Sequence, residues 1–214
     1  MMRLVLVRHA ETETSARGRC YGSLDVGLSA TGREQCGSLG RVLATERIGA
    51  VVSSPRIRAT ETASAIAEPH ALEVRVDTGL CELDFGELEG RTYDDIAASL
   101  PELYAKWMTH PTRVRFPGGE CYADLQARAL HVVSSLLGGF RGRTVVAVTH
   151  GGVVRAVLSD VLGIPEEKLF RTSIDPGSLT IVEWLGDEPL VRCVNDRVRL
   201  DARPGQPPGD RRSP

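Results

Sequence analysis

The chain has 214 residues, 42% of them hydrophobic and 25% charged, with a formal net charge of −2. That length suits one sizeable α/β domain with a well-filled core, and the near-neutral balance excludes a general binder of nucleic acid or membrane surfaces, which needs surplus Lys and Arg. Cys20, Cys36, Cys81, Cys121 and Cys193 show neither a close-spaced metal pair nor a disulfide framework. No secretory leader precedes the first apolar run and no stretch is long enough to span a bilayer, so the expected location is the cytoplasm.

Residues 4–7, Leu-Val-Leu-Val, are apolar on consecutive positions and stop on Arg8 and His9. A second run, Thr144 to Thr149, ends in the same way on His150, Gly151 and Gly152. Continuous β-branched runs mark strands buried on both faces of a parallel sheet. Residues 11–28 have little periodicity and read as a long loop, the kind that is often functional. Ser29 or Thr31 caps a helix with Cys36, Leu39, Gly40 and Leu43 on one face. Residues 48–53 form a second buried strand, and Pro55 is placed in the first turn of a helix running to about Glu68. A short strand over 72–76 leads into the acidic segment 80–90. Residues 93–108 are helical with a break at Pro101, 116–120 turn, and 122–137 have clear helical spacing. A helix over 152–162 stops at Gly163 and Pro165. The strands 179–184 and 190–194 make a hairpin around Gly186-Asp187-Glu188. The expected fold is a three-layer α/β sandwich, a mostly parallel central sheet with helices on both faces. It is read as a single domain over 1–201, with a disordered Pro-, Gly- and Arg-rich tail over 202–214.

Ligands of open α/β sheets lie outside the carboxyl ends of the strands. If the two long runs are neighbours, Arg8, His9 and His150 meet at that edge, and Arg58 comes from the start of the following helix. Each alone is an ordinary structural or solvated residue. Together with two helix N-termini they make a donor-rich positive site suited to a phosphoryl group. Arginine grips phosphate oxygens two at a time, and a histidine with one unprotonated nitrogen is a competent nucleophile. No close-spaced ligand pair supports zinc.

The stretches Leu6-Val7-Arg8-His9-Ala10-Glu11-Thr12, Ser53-Ser54-Pro55-Arg56-Ile57-Arg58-Ala59, Glu82-Leu83-Asp84-Phe85-Gly86, Pro117-Gly118-Gly119-Glu120 and Thr149-His150-Gly151-Gly152 resemble, in order, the signatures of the histidine phosphatase superfamily with its phosphoglycerate-mutase-like fold. Within it the chain is most similar to alpha-ribazole phosphatases of cobalamin assembly and to broad-specificity phosphatases. The resemblance implies that His9 becomes phosphohistidine, that Arg8, Arg58 and His150 hold the phosphoryl group, and that Glu82 serves the leaving alcohol as acid and then the attacking water as base. It implies no metal and no cofactor, and a small phosphorylated substrate.

The usual glycine after the nucleophile is Ala10 here, Ser15 stands where many members carry asparagine, and Tyr21-Gly22 replaces a polar residue and glycine. Ser15, Tyr21, Gly22 and Gly151 are therefore expected at the substrate, with Tyr104, Trp107 and Tyr122 shaping the pocket. Phosphoglycerate mutase chemistry and a non-catalytic phosphate-binding scaffold are the rival readings. Residues 97–107 or 190–198 are candidate faces for a homodimer.

Overall fold

A computed structural model describes residues 2–16 and 18–197 of the chain. The tail expected over 202–214 lies outside these residues. Six strands, β1 (Met2–Arg8), β2 (Ile48–Ser53), β3 (Val74–Val76), β4 (Thr144–Thr149), β5 (Leu179–Leu185) and β6 (Glu188–Asp196), form one sheet in the order β3-β2-β4-β1-β5-β6. Strands β1 to β4 are mutually parallel, while β5 and β6 add an antiparallel hairpin. Its turn is Gly186-Asp187, with Gly186 at φ +69°.

The long apolar runs are explained by burial on both faces. Leu4, Leu6, Ala50, Val52, Val145 and Ala147 join a core packed under α5 (Tyr122–Gly139) and α6 (Gly151–Leu162). The alternate residues Val5, Val7, Val51, Val146 and Val148 join a second core under α1 (Ala30–Leu43) and α2 (Ile57–Ala67). Each fully buried aliphatic contributes about 1.5–3 kcal/mol, so both layers are needed to hold β1 and β4 at the centre. The edge strand β6 alternates between exposed and half-buried instead.

Several boundaries follow from contacts outside the element. Ser29 is the cap of α1, accepting from the Gly32 amide at 2.9 Å. Pro55 does not occupy the first turn of α2, which begins at Ile57. The Ile57 amide donates to Asp25 Oδ1 at 2.7 Å, so a residue from the loop between β1 and α1 starts that helix. Pro101 divides the next helical region into α3 (Tyr93–Ser99) and α4 (Pro101–Thr109). Trp107 and Tyr122 are buried, Trp107 within an aromatic cluster that includes Phe85, Tyr104 and Phe116. Cys20, Cys36, Cys81 and Cys121 are free thiols, and no helix among the described residues is long and apolar enough to cross a membrane.

Candidate active site

Strands β1 and β4 pair in register from Arg3–Thr144 to Arg8–Thr149, so the residues following each, His9 and His150, arrive side by side. The ladder continues one step, His9 N–H donating to Thr149 O at 2.8 Å. After β1 the chain passes to the α1–α2 layer, and after β4 to the α6 layer. The backbone diverges here, which opens the crevice. The imidazoles lie 5.1 Å apart between centroids, edge to face.

A small cavity of about 60 Å³ at this point is lined by Arg8, His9, Arg19, Tyr21, Arg58, Glu82, Phe85, Tyr93 and His150. Arg8, Arg19, Tyr21 and Tyr93 also border a cleft of about 400 Å³, whose other walls include Glu11, Thr12, Gln35, Asp175 and Arg197. A phosphoryl-sized recess thus adjoins room for the remainder of a metabolite.

His9 is fully enclosed and its Nδ1 lies 2.8 Å from Ala10 O. A carbonyl only accepts, so Nδ1 carries the proton and Nε2 keeps its lone pair in the neutral ring. Burial holds the His9 imidazole well below its ordinary value, and the charges of Arg8 and Arg58 add to this. His150 is lowered for the same first reason, then by His9 and the two arginines. Its Nε2 is 2.8 Å from Ser54 Oγ, while its buried Nδ1 has no partner among the described residues.

Arg58 is wholly buried, and among the described residues it has no carboxylate partner. It donates to the carbonyls of Leu24 (2.7 Å), Tyr21 (2.9 Å) and Gly22 (3.0 Å) and lies 5.0 Å from the Tyr21 ring centroid. Its Nε, like that of Arg8, is buried and unsatisfied. Arg8 reaches Ile174 O at 2.5 Å through NH1. Buried cations with unused donors are costly unless an anion completes them. Burial lowers the Arg58 pKa and Glu82 opposes that shift.

Glu82 sits on irregular backbone with both carboxylate oxygens held: Oε1 by the Leu83 amide at 2.9 Å, Oε2 by the Gly152 amide at 3.1 Å in the first turn of α6. A Cβ on residue 152 would stand 2.1 Å from Oε1, so glycine there keeps the carboxylate in place.

Of the residues singled out from sequence, His9, Arg8, Arg58, Glu82, His150 and Tyr21 converge on the cavity. Ser15, Gly22 and Gly151 line neither space. Ser15 is exposed and its carbonyl accepts from Arg19 Nε. Gly22 serves Arg58 through its carbonyl and packs so tightly on Leu83 O that no side chain fits. Gly151 lies against Arg8 and Arg155. Tyr104, Trp107 and Tyr122 are absent from the lining; Tyr93, Arg19 and Phe85 take that place. Nothing local in the sequence distinguishes Arg19 from other loop arginines, whereas Tyr93 opens a recognisable helix. The described residues hold one trio with metal-ligand spacing, His110, Glu166 and Glu167, none of which borders either space.

The neutral histidines give a pH test. As pH falls below about 6.5, the unfolded chain takes up protons that the native imidazoles refuse, so stability decreases with falling pH. Two such groups add about 2.7 kcal/mol per pH unit to that slope. Chemical denaturation of the phosphate-free protein between about pH 6.5 and 5 reads it, and His9→Asn should remove roughly half of the contribution. A slope unchanged in that variant would contradict the buried neutral state.

Comparison with known proteins agrees with this geometry. A bifunctional protein of Mycobacterium tuberculosis is 38% identical over 195 residues, 90% of this chain but 53% of its own length, so the chain spans about half of that relative. Phosphoserine phosphatase 1 of Hydrogenobacter thermophilus is 33% identical over 85% of this chain and 86% of its own. A glucosyl-3-phosphoglycerate phosphatase of Mycolicibacterium vanbaalenii is 36% identical, covering 85% and 91%. Among solved structures, Bacillus stearothermophilus YhfR superposes with a TM-score of 0.88 at 29% identity over 94% of this chain and 100% of that one. A putative alpha-ribazole-5′-P phosphatase from Escherichia coli gives 0.83 at 26%, over 92% and 97%. The family description "histidine phosphatase superfamily (branch 1)" matches residues 4–197, from β1 through β6 and across every residue of the cavity, and the chain belongs to that family.

Proposed function

We propose that residues 1–201 act as a single-domain, metal-independent phosphomonoesterase that hydrolyses a small phosphorylated metabolite through phosphohistidine at His9. The observation that carries this is the cavity itself. An unprotonated imidazole nitrogen, two arginines with unused buried donors, a second histidine and a carboxylate border one recess. His9 Nε2 attacks phosphorus and the ester P–O bond breaks, with Glu82 giving its proton to the departing oxygen. Glu82 then takes a proton from water, whose oxygen attacks the phosphohistidine. The P–N bond breaks, inorganic phosphate leaves and His9 is restored. Arg8, Arg58 and His150 stabilise the charge on the transferring group. His150 is anchored through Nε2 to Ser54 Oγ, and its Nδ1 faces the site for contact with a phosphoryl oxygen.

Alpha-ribazole 5′-phosphate is the leading substrate, supported by the sequence signatures and by the likeness to the Escherichia coli structure. The wider cleft favours a second reading. Glu11 and Asp175 face it along with Arg19 and Arg197, which suits a charged remainder such as those of phosphoserine and phosphoglycerate derivatives. A panel of these esters, assayed for phosphate release with and without EDTA, discriminates them. The expected result is a rate indifferent to EDTA and a preference of at least about tenfold in kcat/KM for one ester. Loss of activity with EDTA would overturn the metal-free reading. Isomerisation of phosphoglycerates without phosphate release would establish mutase chemistry instead.

A further inference from the structure

The general acid assigned to Glu82 lies on backbone that belongs to no helix or strand, between a short 3-10 turn ending at Leu80 and another beginning at Gly86. Rate is sensitive to such placement: a displacement near 1 Å can cost about a hundredfold. Something must therefore hold this segment, and Arg128 is the side chain that bonds its backbone at the most points.

Arg128, near the middle of α5, donates to the carbonyls of Gly79 (2.9 Å), Cys81 (2.5 Å) and Glu82 itself (2.9 Å). The same guanidinium forks onto Glu120, Nε to Oε1 at 3.0 Å and NH2 to Oε2 at 2.9 Å. Glu120 in turn grips the far side of Glu82: its Oε2 accepts from the Asp84 amide at 3.2 Å, and its own amide donates to Asp84 O at 2.9 Å. The pair thus clasps the peptide groups on both sides of residue 82 without touching the cavity, whose lining includes neither residue. Both side chains remain about a quarter exposed, 22% and 27%. A partly wet ion pair of this kind adds little stability as a charge interaction. The alignment of its donors is the more informative property, because only a planar fork meets three carbonyls and a carboxylate together.

We propose that Arg128, tied down by Glu120, is a positioning residue that fixes the reach of the Glu82 carboxyl towards the leaving-group oxygen. This rests on the general-acid role proposed for Glu82. Protonation of the leaving group matters most when that group is strongly basic. Misplacing Glu82 therefore slows cleavage of an alkyl phosphate and spares an aryl one, whereas a general loss of structure slows both.

The test measures kcat/KM for glycerol phosphate and p-nitrophenyl phosphate in wild type, Glu82→Gln, Arg128→Met, Arg128→Lys and Glu120→Gln. Arg128→Met is expected to lose about 10- to 100-fold on the alkyl ester and under about threefold on the aryl ester, with Arg128→Lys restoring only part. Glu120→Gln keeps the backbone clasp of Arg128 and remains a test if Arg128→Met fails to fold. Its loss should be smaller and show the same selectivity. Adding Arg128→Met to Glu82→Gln should change the alkyl rate by less than about twofold, the non-additivity of residues acting through one group. Equal losses on both esters, or full additivity in the double variant, would overturn the positioning role. If Glu82→Gln itself shows no leaving-group selectivity, the general-acid reading fails first, and the proposal with it.

Discussion

His9→Ala lowers kcat/KM by about 10⁴- to 10⁶-fold, the loss expected when a covalent nucleophile is removed and only binding and charge stabilisation remain. The size of the effect follows from the site. Nε2 of His9 is the lone pair left available once Nδ1 donates to Ala10 O, and His150 cannot replace it because its Nε2 is already paired with Ser54. The fold should survive, since β1 is held by backbone pairing to β4 and β5 and by Leu4, Val5, Leu6 and Val7 in two cores. Steady-state assays with circular dichroism on the same samples check both halves. A folded His9→Ala protein within about tenfold of wild type would remove His9 from the reaction.

Arg58→Ala has the second largest consequence. Losing one charged clamp on a transferring phosphoryl group costs about 10²- to 10³-fold. Stability falls as well, because the carbonyls of Tyr21, Gly22 and Leu24 lose their donor. Hydrogen bonds from a charged group are worth about 1.5–3 kcal/mol each, so a loss of several kcal/mol is expected. Arg58→Lys keeps the charge but not the fork, and should remain at least about tenfold impaired. Thermal denaturation with added phosphate separates the two roles. Wild type gains stability with the anion, whereas Arg58→Ala gains almost none. An equal gain in both would show that Arg58 serves the loop at 21–24 alone.

The two roles explain which parts of the chain declared themselves in sequence. Strands β1 and β4 were legible because burial on both faces demands unbroken β-branched runs, and their parallel pairing brings His9 and His150 together without further information. Glu82 was not legible in that way. It stands on irregular backbone among Asp84, Glu87 and Glu89, so its significance came from family resemblance; in the structure it is set apart by the Gly152 amide and the Arg128 clasp. Local sequence points to Pro55 as the start of α2, whereas the helix begins at Ile57, whose amide is satisfied by Asp25, a contact no local pattern records. Likewise the aromatic residues of α4 suit a pocket wall by sequence, but Trp107 is needed in the core against Phe85 and Phe116. Tyr93 and Arg19 occupy the wall instead, placed there by the pairing of Arg19 with Thr92. Long-range contacts of single polar side chains carry no periodicity, and these were the parts that only the structure showed.

The central claim is a covalent phosphoryl-enzyme on His9. Rapid mixing with a turned-over ester, quenching in alkali to preserve the P–N bond, and peptide mass spectrometry tests it most directly. The predicted result is one phosphoryl group on the peptide carrying Arg8, His9 and Ala10, assigned to His9 and absent from His9→Ala. A wild-type enzyme that releases phosphate in the steady state with no trapped adduct, or with the adduct on His150, would contradict the account.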